Sequence, residues 1–156
     1  MTRRLPTNPP SLKAPPPSSV LFLDRDPGGT ILPRALRAAG YTVETFEPHF
    51  NEHTLDVEWF PLVAAQGWLA LSRNRRQRYT PDERDVAMGS GLALYHLIRC
   101  GSHTDLAPIL VRLVPRILAF RVRHEPPFIA RVSSTGRVVM DLSSVEWQRS
   151  QKRGRG

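Results

Sequence analysis

Between residues 20 and 98 the chain alternates four short apolar runs with three segments of helical spacing, and few folds satisfy that order. "VLFL" (20–23) is too short for a helix and is bounded by the turn-forming "DRDPGG", so it is predicted to be a buried strand. "TILPRALRAAG" (30–40) carries Ile31, Leu32, Ala35, Leu36 and Ala39 at helical spacing and stops at a glycine. The β-branched and aromatic alternation of "YTVETF" predicts a second strand, "EPHFNEH" a loop, and "TLDVEWFPLVAAQG" a helix ending at Gly67. "WLALS" reads as the third strand and "GLALYHLI" as the fourth. Between them "TPDE" (80–83) marks a helix start: Thr80 as cap, Pro81 in the first helical position and Glu83 three residues after the cap. A long apolar helix beginning with a capping Thr104 follows, and "PFIARVSSTGRVVMDL" splits at "STG" into a terminal hairpin. A helix between two strands returns the chain to the same end of the sheet. The expected fold class is therefore α/β, with a mainly parallel central sheet and helices on both faces.

Composition sets the limits of that unit. Residues 1–19, which include "APPPSS", lack the spaced apolar side chains that offset the entropy of ordering, so they are expected to be a flexible leader. The domain is expected over 20–142, and 143–156, ending "QRSQKRGRG", as a basic tail. Cys100 is the only cysteine, which excludes an internal disulfide and suits a reducing compartment. No run resembles a signal peptide or approaches the roughly 20 apolar residues that span a bilayer, so a soluble, cytoplasmic protein with no membrane partner is expected. The net charge of +8 attracts phosphate polymers, acidic proteins or anionic lipid, and nucleic acid is the commonest partner of such a balance.

Against that positive background, the acids at the ends of elements stand out. In open α/β sheets ligands gather outside the carboxyl ends of the strands, and Asp24 lies at one such end while Asn74 lies just past another. Carboxylates so placed can converge on Mg²⁺ or Mn²⁺, which prefer oxygen ligands and keep waters and substrate phosphates as the remainder. Asp24 is the first candidate, Asp56 in the first turn of the second helix the next, and Glu83 the third; Asp26 is a further neighbour. Each also has a structural explanation: a turn for Asp24 or Asp26, the helix dipole for Asp56, a capping box for Glu83. His49 and His53 lack the helix that would aim both at one zinc, and "DPGG" has neither the Gly-Lys-Thr end of a P-loop nor a three-glycine dinucleotide pattern. Cys100 reads as a small buried hydrophobe.

From Phe22 to Leu142 the sequence resembles a PIN-like domain of the group of VapC-type toxins. The resemblance rests on "FLDRDPGG", "LRAAGYTVET", "HFNEHTLDVEW", "GWLALSRNRRQRYTPDE", "PRILAF" and "PPFIARV", the middle pieces being the most specific. It implies a PIN-like (Rossmannoid) α/β/α sandwich with a C-terminal β-hairpin, whose acidic cluster binds Mg²⁺ or Mn²⁺ and cuts single-stranded RNA. Carried over by position, the metal ligands are Asp24, Asp56 and Asn74, with Glu83 a recurrent acid of less defined role. The slot after the third strand, often an aspartate, is Asn74 here, which keeps a carbonyl oxygen and loses a charge. Arg73, Arg75, Arg76 and Arg78, together with Arg25 beside Asp24, are expected to hold RNA phosphates, and Tyr79 is an aromatic that either stacks a base or packs. The resemblance also implies a cognate antitoxin partner and leaves pairing into a homodimer open. Two rival readings remain: a catalytically degenerate module of the same fold that binds RNA or an antitoxin without cleavage, and a duplex-DNA-binding protein, which leaves the acids unused.

Overall fold

The computed structural model describes residues 19–27, 29–73, 79–101 and 103–155. Along the chain run β1 (Val20–Leu23), α1 (Ile31–Ala38), β2 (Thr42–Thr45), a short helical turn α2 (Phe46–His49), α3 (Asp56–Gln66) and β3 (Leu69–Ser72). These are followed by α4 (Pro81–Ser90), β4 (Ala93–Ile98), α5 (His103–Arg123), β5 (Phe128–Ser133), β6 (Val138–Ser143) and α6 (Ser144–Arg155). The six strands form one sheet in the order β2-β1-β3-β4-β5-β6. All neighbours are parallel except β5 and β6, the antiparallel hairpin that closes the sheet. This is the predicted α/β class with its C-terminal hairpin.

The order decides where a site can form. From β1 the chain passes through α1 to β2 on one side, then returns past β1 to place β3 on the other. The direction of winding reverses between β1 and β3, so the segments leaving their carboxyl ends diverge and open a crevice there.

Side-chain alternation along the strands builds a core on each face. Leu21 and Leu23 of β1 join Leu69 and Leu71 of β3, and Tyr95 of β4, against Leu32 and Leu36 of α1 and Leu110, Val114 and Ile117 of α5. Phe22 points the other way, into a second core with Ala70, Trp59, Phe60 and Val63 of α3 and Ala87 and Met88 of α4. That second core is dense in aromatics: the Phe22 ring lies 5.2 Å from Trp59 and 5.9 Å from Trp68, centroid to centroid. Helix ends follow local chemistry. Thr80 Oγ1 accepts the Glu83 N–H at 3.1 Å while Glu83 Oε1 accepts the Thr80 N–H at 2.8 Å, the reciprocal cap predicted from "TPDE". Gly67 ends α3 in the left-handed conformation, φ +76°, that a side chain would resist.

The structure differs locally from the sequence reading at three places. Part of the predicted loop "EPHFNEH" winds into α2, seated by the buried Phe46. Helix α5 already begins at His103, so Thr104 lies inside it, and the helix continues through Pro108 and Pro115 without a break. The predicted basic tail is instead α6. Ser143 Oγ accepts the Glu146 N–H at 3.1 Å and Glu146 Oε1 accepts the Ser143 N–H at 2.9 Å, a second reciprocal cap. The helix is then anchored by Trp147, which packs on the aromatic core and donates from Nε1 to Asp85 Oδ1 at 3.0 Å. The packed unit thus runs past the boundary expected at 142. Residues 1–18, most of the predicted leader, lie outside the described residues. Among the described residues no helix is long and apolar enough to cross a membrane.

Candidate functional site

Asp24 directly follows β1, and its N–H continues the ladder by donating to Leu71 O at 3.0 Å. Two residues beyond Phe22, it falls on the aromatic side of the sheet, toward the starts of α3 and α4. The residue is only 7% exposed. Its Oδ1 accepts the Arg25 N–H at 2.6 Å, and its Oδ2 accepts the hydroxyl of Ser72, the last residue of β3, at 2.9 Å. Burial pushes the carboxyl above its ordinary pKa and the charge of Asp56 adds to this, while the two hydrogen bonds and the Arg25 charge hold it back. Sequence reasoning did not single out Ser72. Its signal was a lone polar residue closing an otherwise apolar strand, beside a strand that closes on an acid.

Asp56 is the first residue of α3, where the helix dipole favours a negative charge. Its Oδ1 accepts the indole N–H of Trp59 at 3.0 Å. Trp59 is wholly buried, so its packing fixes where the carboxylate sits. Trp59 too was missed, although three residues along a helix places it on the same face as Asp56.

Glu83 uses Oε1 to cap α4, so its structural role is realised. Its charge, like those of Asp24 and Asp56, also acts on the hydroxyl of Tyr79; with burial as the larger cause, they push that phenol above its ordinary pKa. All three predicted acids thus lie near enough to Tyr79 for their charges to act on its hydroxyl. Tyr79 is 5% exposed and meets Phe60 and His96 edge-on, with ring centroids 6.1 and 5.5 Å away. It belongs to the core and offers no face to a base. Among the described residues its Oη is the buried side-chain polar atom without a hydrogen-bond partner. Ser72 favours the phenolate but directs its hydroxyl at Asp24, and the Ser72–Tyr79 pair falls short of hydrogen-bond geometry.

Arg25 lies between the two aspartates. Its Nε is 3.6 Å from Asp24 Oδ1 and its Nη2 is 3.4 Å from Asp56 Oδ1, while Nη1 donates to Glu52 O at 2.7 Å. The guanidinium carbon stands 4.5 Å above the Phe46 ring. One cation thus draws together two carboxylates 32 residues apart in the chain, with 40% of its side chain still exposed.

The rest of the expected arginine set is arranged differently. Arg73 donates from its main-chain N–H to Asp26 O at 2.8 Å, from Nε to Asp26 Oδ1 at 3.0 Å and from Nη1 to Gly101 O at 2.6 Å. With 15% of its side chain exposed, Arg73 ties three loops together through Nε and Nη1. The same contacts engage Asp26. Asn74, Arg75, Arg76 and Arg78 lie outside the described residues. His49 pairs with Glu44 at 2.7 Å and His53 with Glu52 at 3.4 Å. Cys100 is buried.

Among the described residues no three His, Cys, Asp or Glu side chains gather at metal-ligating geometry. The donor chemistry of Asp24 and Asp56 nevertheless fits Mg²⁺ or Mn²⁺: two carboxylates held to a single positive group match ions that use one or two carboxylates and fill the remainder with water and phosphate oxygen. Beside the pair opens a cleft of about 820 Å³, bounded by Arg25, Thr30, Arg34, Arg37, Glu47 and Glu52 among others.

Residues 19–98, just over half of the chain, match a family model described as "PIN like domain". The chain belongs to the PIN-like domain family. The matched span of this PIN-like domain runs from β1 to β4 and so contains Asp24, Arg25, Asp56, Ser72 and Glu83. The domain is also 28% identical over 120 residues to "Putative ribonuclease VapC45" of Mycobacterium tuberculosis (strain ATCC 25618 / H37Rv), an alignment covering 72% of this chain and 84% of the relative. No solved structure matches.

Proposed function

We propose that this PIN-like domain is a Mg²⁺- or Mn²⁺-dependent endoribonuclease that cuts single-stranded RNA, and that it is the toxin of a toxin–antitoxin pair held in check by a cognate antitoxin. The observation that carries the reading is the meeting of Asp24 and Asp56 on one cationic group at the crevice between β1 and β3. The name of the mycobacterial relative, a ribonuclease, supports the choice of reaction.

Asp24 and Asp56 would hold the divalent ion, with Ser72 and Trp59 each fixing one oxygen of a carboxylate. When bound, such an ion polarises a phosphodiester and acidifies water. Asn74 would add a neutral oxygen, and Glu83 a nearby negative charge that can take up a proton. Arg25, which already reaches both acids, would move its charge onto the phosphate of the substrate when the ion takes its place between them.

A second reading, a catalytically degenerate module that binds RNA or an antitoxin, is favoured by Asn74 and by the neutralisation of the acid pair by Arg25. One assay separates the two. Incubated with Mn²⁺, the purified protein is expected to shorten a fluorescent single-stranded oligoribonucleotide, and excess chelator is expected to abolish this. Equal cleavage in chelator contradicts the proposed mechanism, and RNA retention without any cleavage in Mn²⁺ selects the second reading.

A further inference from the structure

The cleft beside the acid pair has a lining that the nuclease reading does not yet use. Arg34 and Arg37 both project from α1 into it, one helical turn apart, and Arg25 lines it at the end nearest Asp24 and Asp56. Both are exposed. Arg37 steadies itself by donating from Nη2 to Val43 O at 2.8 Å, which leaves its other N–H groups available. The Arg34 main chain donates to Thr30 O at 3.3 Å, while its side chain makes no hydrogen bond or ion pair among the described residues. The first turn of α1 carries no acid that would compete for these groups. Two glutamates also reach the lining, but Glu52 is 76% exposed at its side chain and sits 3.4 Å from His53, and Glu47 is exposed as well. Three guanidinium groups therefore face two solvated carboxylates, in a cleft joined to the acid pair through Arg25.

We propose that this cleft is a phosphate track for the substrate strand, with Arg34 and Arg37 gripping backbone phosphates next to the one that is cut. The inference rests on the nuclease reading and deepens it by assigning where the rest of the RNA lies. Guanidinium groups suit the task because they bind phosphate oxygens in pairs and carry no sequence information. The grip should thus be sequence-independent and strongly salt-dependent. Because Arg25 belongs both to the track and to the acid pair, a strand lying along α1 delivers its next phosphate to Asp24 and Asp56.

Fluorescence anisotropy of a labelled single-stranded 12-nucleotide RNA, measured in chelator so that nothing is cut, tests this directly. Arg34→Ala is the main variant because it removes no contact within the described fold, and Arg37→Lys preserves charge while losing the forked geometry. Arg34→Ala is expected to bind roughly fivefold more weakly at about 0.1 M salt, equally for different sequences, and to make the plot of log affinity against log salt shallower by about 0.7. With Mn²⁺ present, Arg34→Ala should raise KM for the 12-mer by more than it lowers kcat. If wild type binds the RNA and Arg34→Ala binds it identically with the same salt slope, the track is refuted while the nuclease reading stands. Loss of affinity for an acidic partner protein with RNA binding unchanged also refutes it, and marks the cleft as a protein-docking face. Failure of wild type itself to bind the RNA at any salt overturns the track, and cleavage in Mn²⁺ then decides the nuclease reading separately.

Discussion

Asp24→Asn is expected to lower RNA cleavage by at least ~100-fold and, at neutral pH, to raise the melting temperature. The loss follows from removing a charged oxygen donor from a pair that has only one other aspartate. The gain follows from burial. Asp24 is 7% exposed and its folded pKa lies above the unfolded carboxylate value, so the folded state holds that proton more tightly than the unfolded chain does. Between the unfolded and folded pKa values stability therefore falls as pH rises, and above the folded pKa the full penalty of a buried charge is in force. Asparagine lifts that penalty. Its carbonyl can still accept the Arg25 N–H, and the Ser72 hydroxyl can turn from donor to acceptor toward the new amide. What is lost is an ion pair at 3.6 Å to a partly exposed arginine, which is worth little. Melting curves of both proteins across pH should therefore separate at pH 7 and converge toward pH 4. A variant that melts lower at neutral pH, or that cuts RNA at the wild-type rate, contradicts this account of Asp24.

Arg25→Ala is expected to act in the opposite sense on metal and on fold. This guanidinium pairs with Asp24 and Asp56, donates to Glu52 O and lies over Phe46. Removing it deletes a hydrogen bond from a charged donor and a cation–π contact, so stability without metal should fall by about 1–2 kcal/mol. It also removes a positive charge from the place where a divalent cation would bind. At an effective dielectric of about 20, one unit charge about 4 Å from another contributes about 4 kcal/mol, and swinging the side chain aside recovers only part of that. Mn²⁺ affinity should rise about tenfold or more, and saturating Mn²⁺ should restore the lost melting temperature through binding to the folded state alone. Calorimetric titration reads the first effect and a melting curve with and without Mn²⁺ the second. Unchanged Mn²⁺ affinity would show that Arg25 and the ion do not compete for the same carboxylates.

The elements of this chain were largely legible because local chemistry marks their ends. "VLFL" and "LALS" cannot be anything but strands when bounded by turn residues, and Thr80, Pro81 and Glu83 announce α4 through contacts confined to one turn. The acids Asp24 and Asp56 were legible for a related reason: alternation of strand and helix places their elements' ends on one side of the sheet. Side-chain destinations across the sheet were not legible. Ser72 meets Asp24 over 48 residues and Arg73 meets Asp26 over 47, and nothing local in "LSRN" says that the serine faces the acid pair while the first arginine braces two loops. Tyr79 shows the same limit, since an aromatic after a basic loop can either stack a base or pack, and the fold puts this one into the core. Helix α6 was hidden by its composition. Its polar surface reads as a tail; the Ser143–Glu146 cap and the contacts of Trp147 and Gln151 with Asp85 hold it as a helix.

The central claim is that Asp24 and Asp56 hold one divalent cation between them. A calorimetric Mn²⁺ titration of the wild-type protein beside Asp56→Asn, with folding of both verified by melting, measures this without recourse to catalysis. The account predicts one ion per wild-type chain and an affinity at least ~10-fold weaker in the variant. Identical binding curves for the two proteins, or none for the wild type, would contradict it.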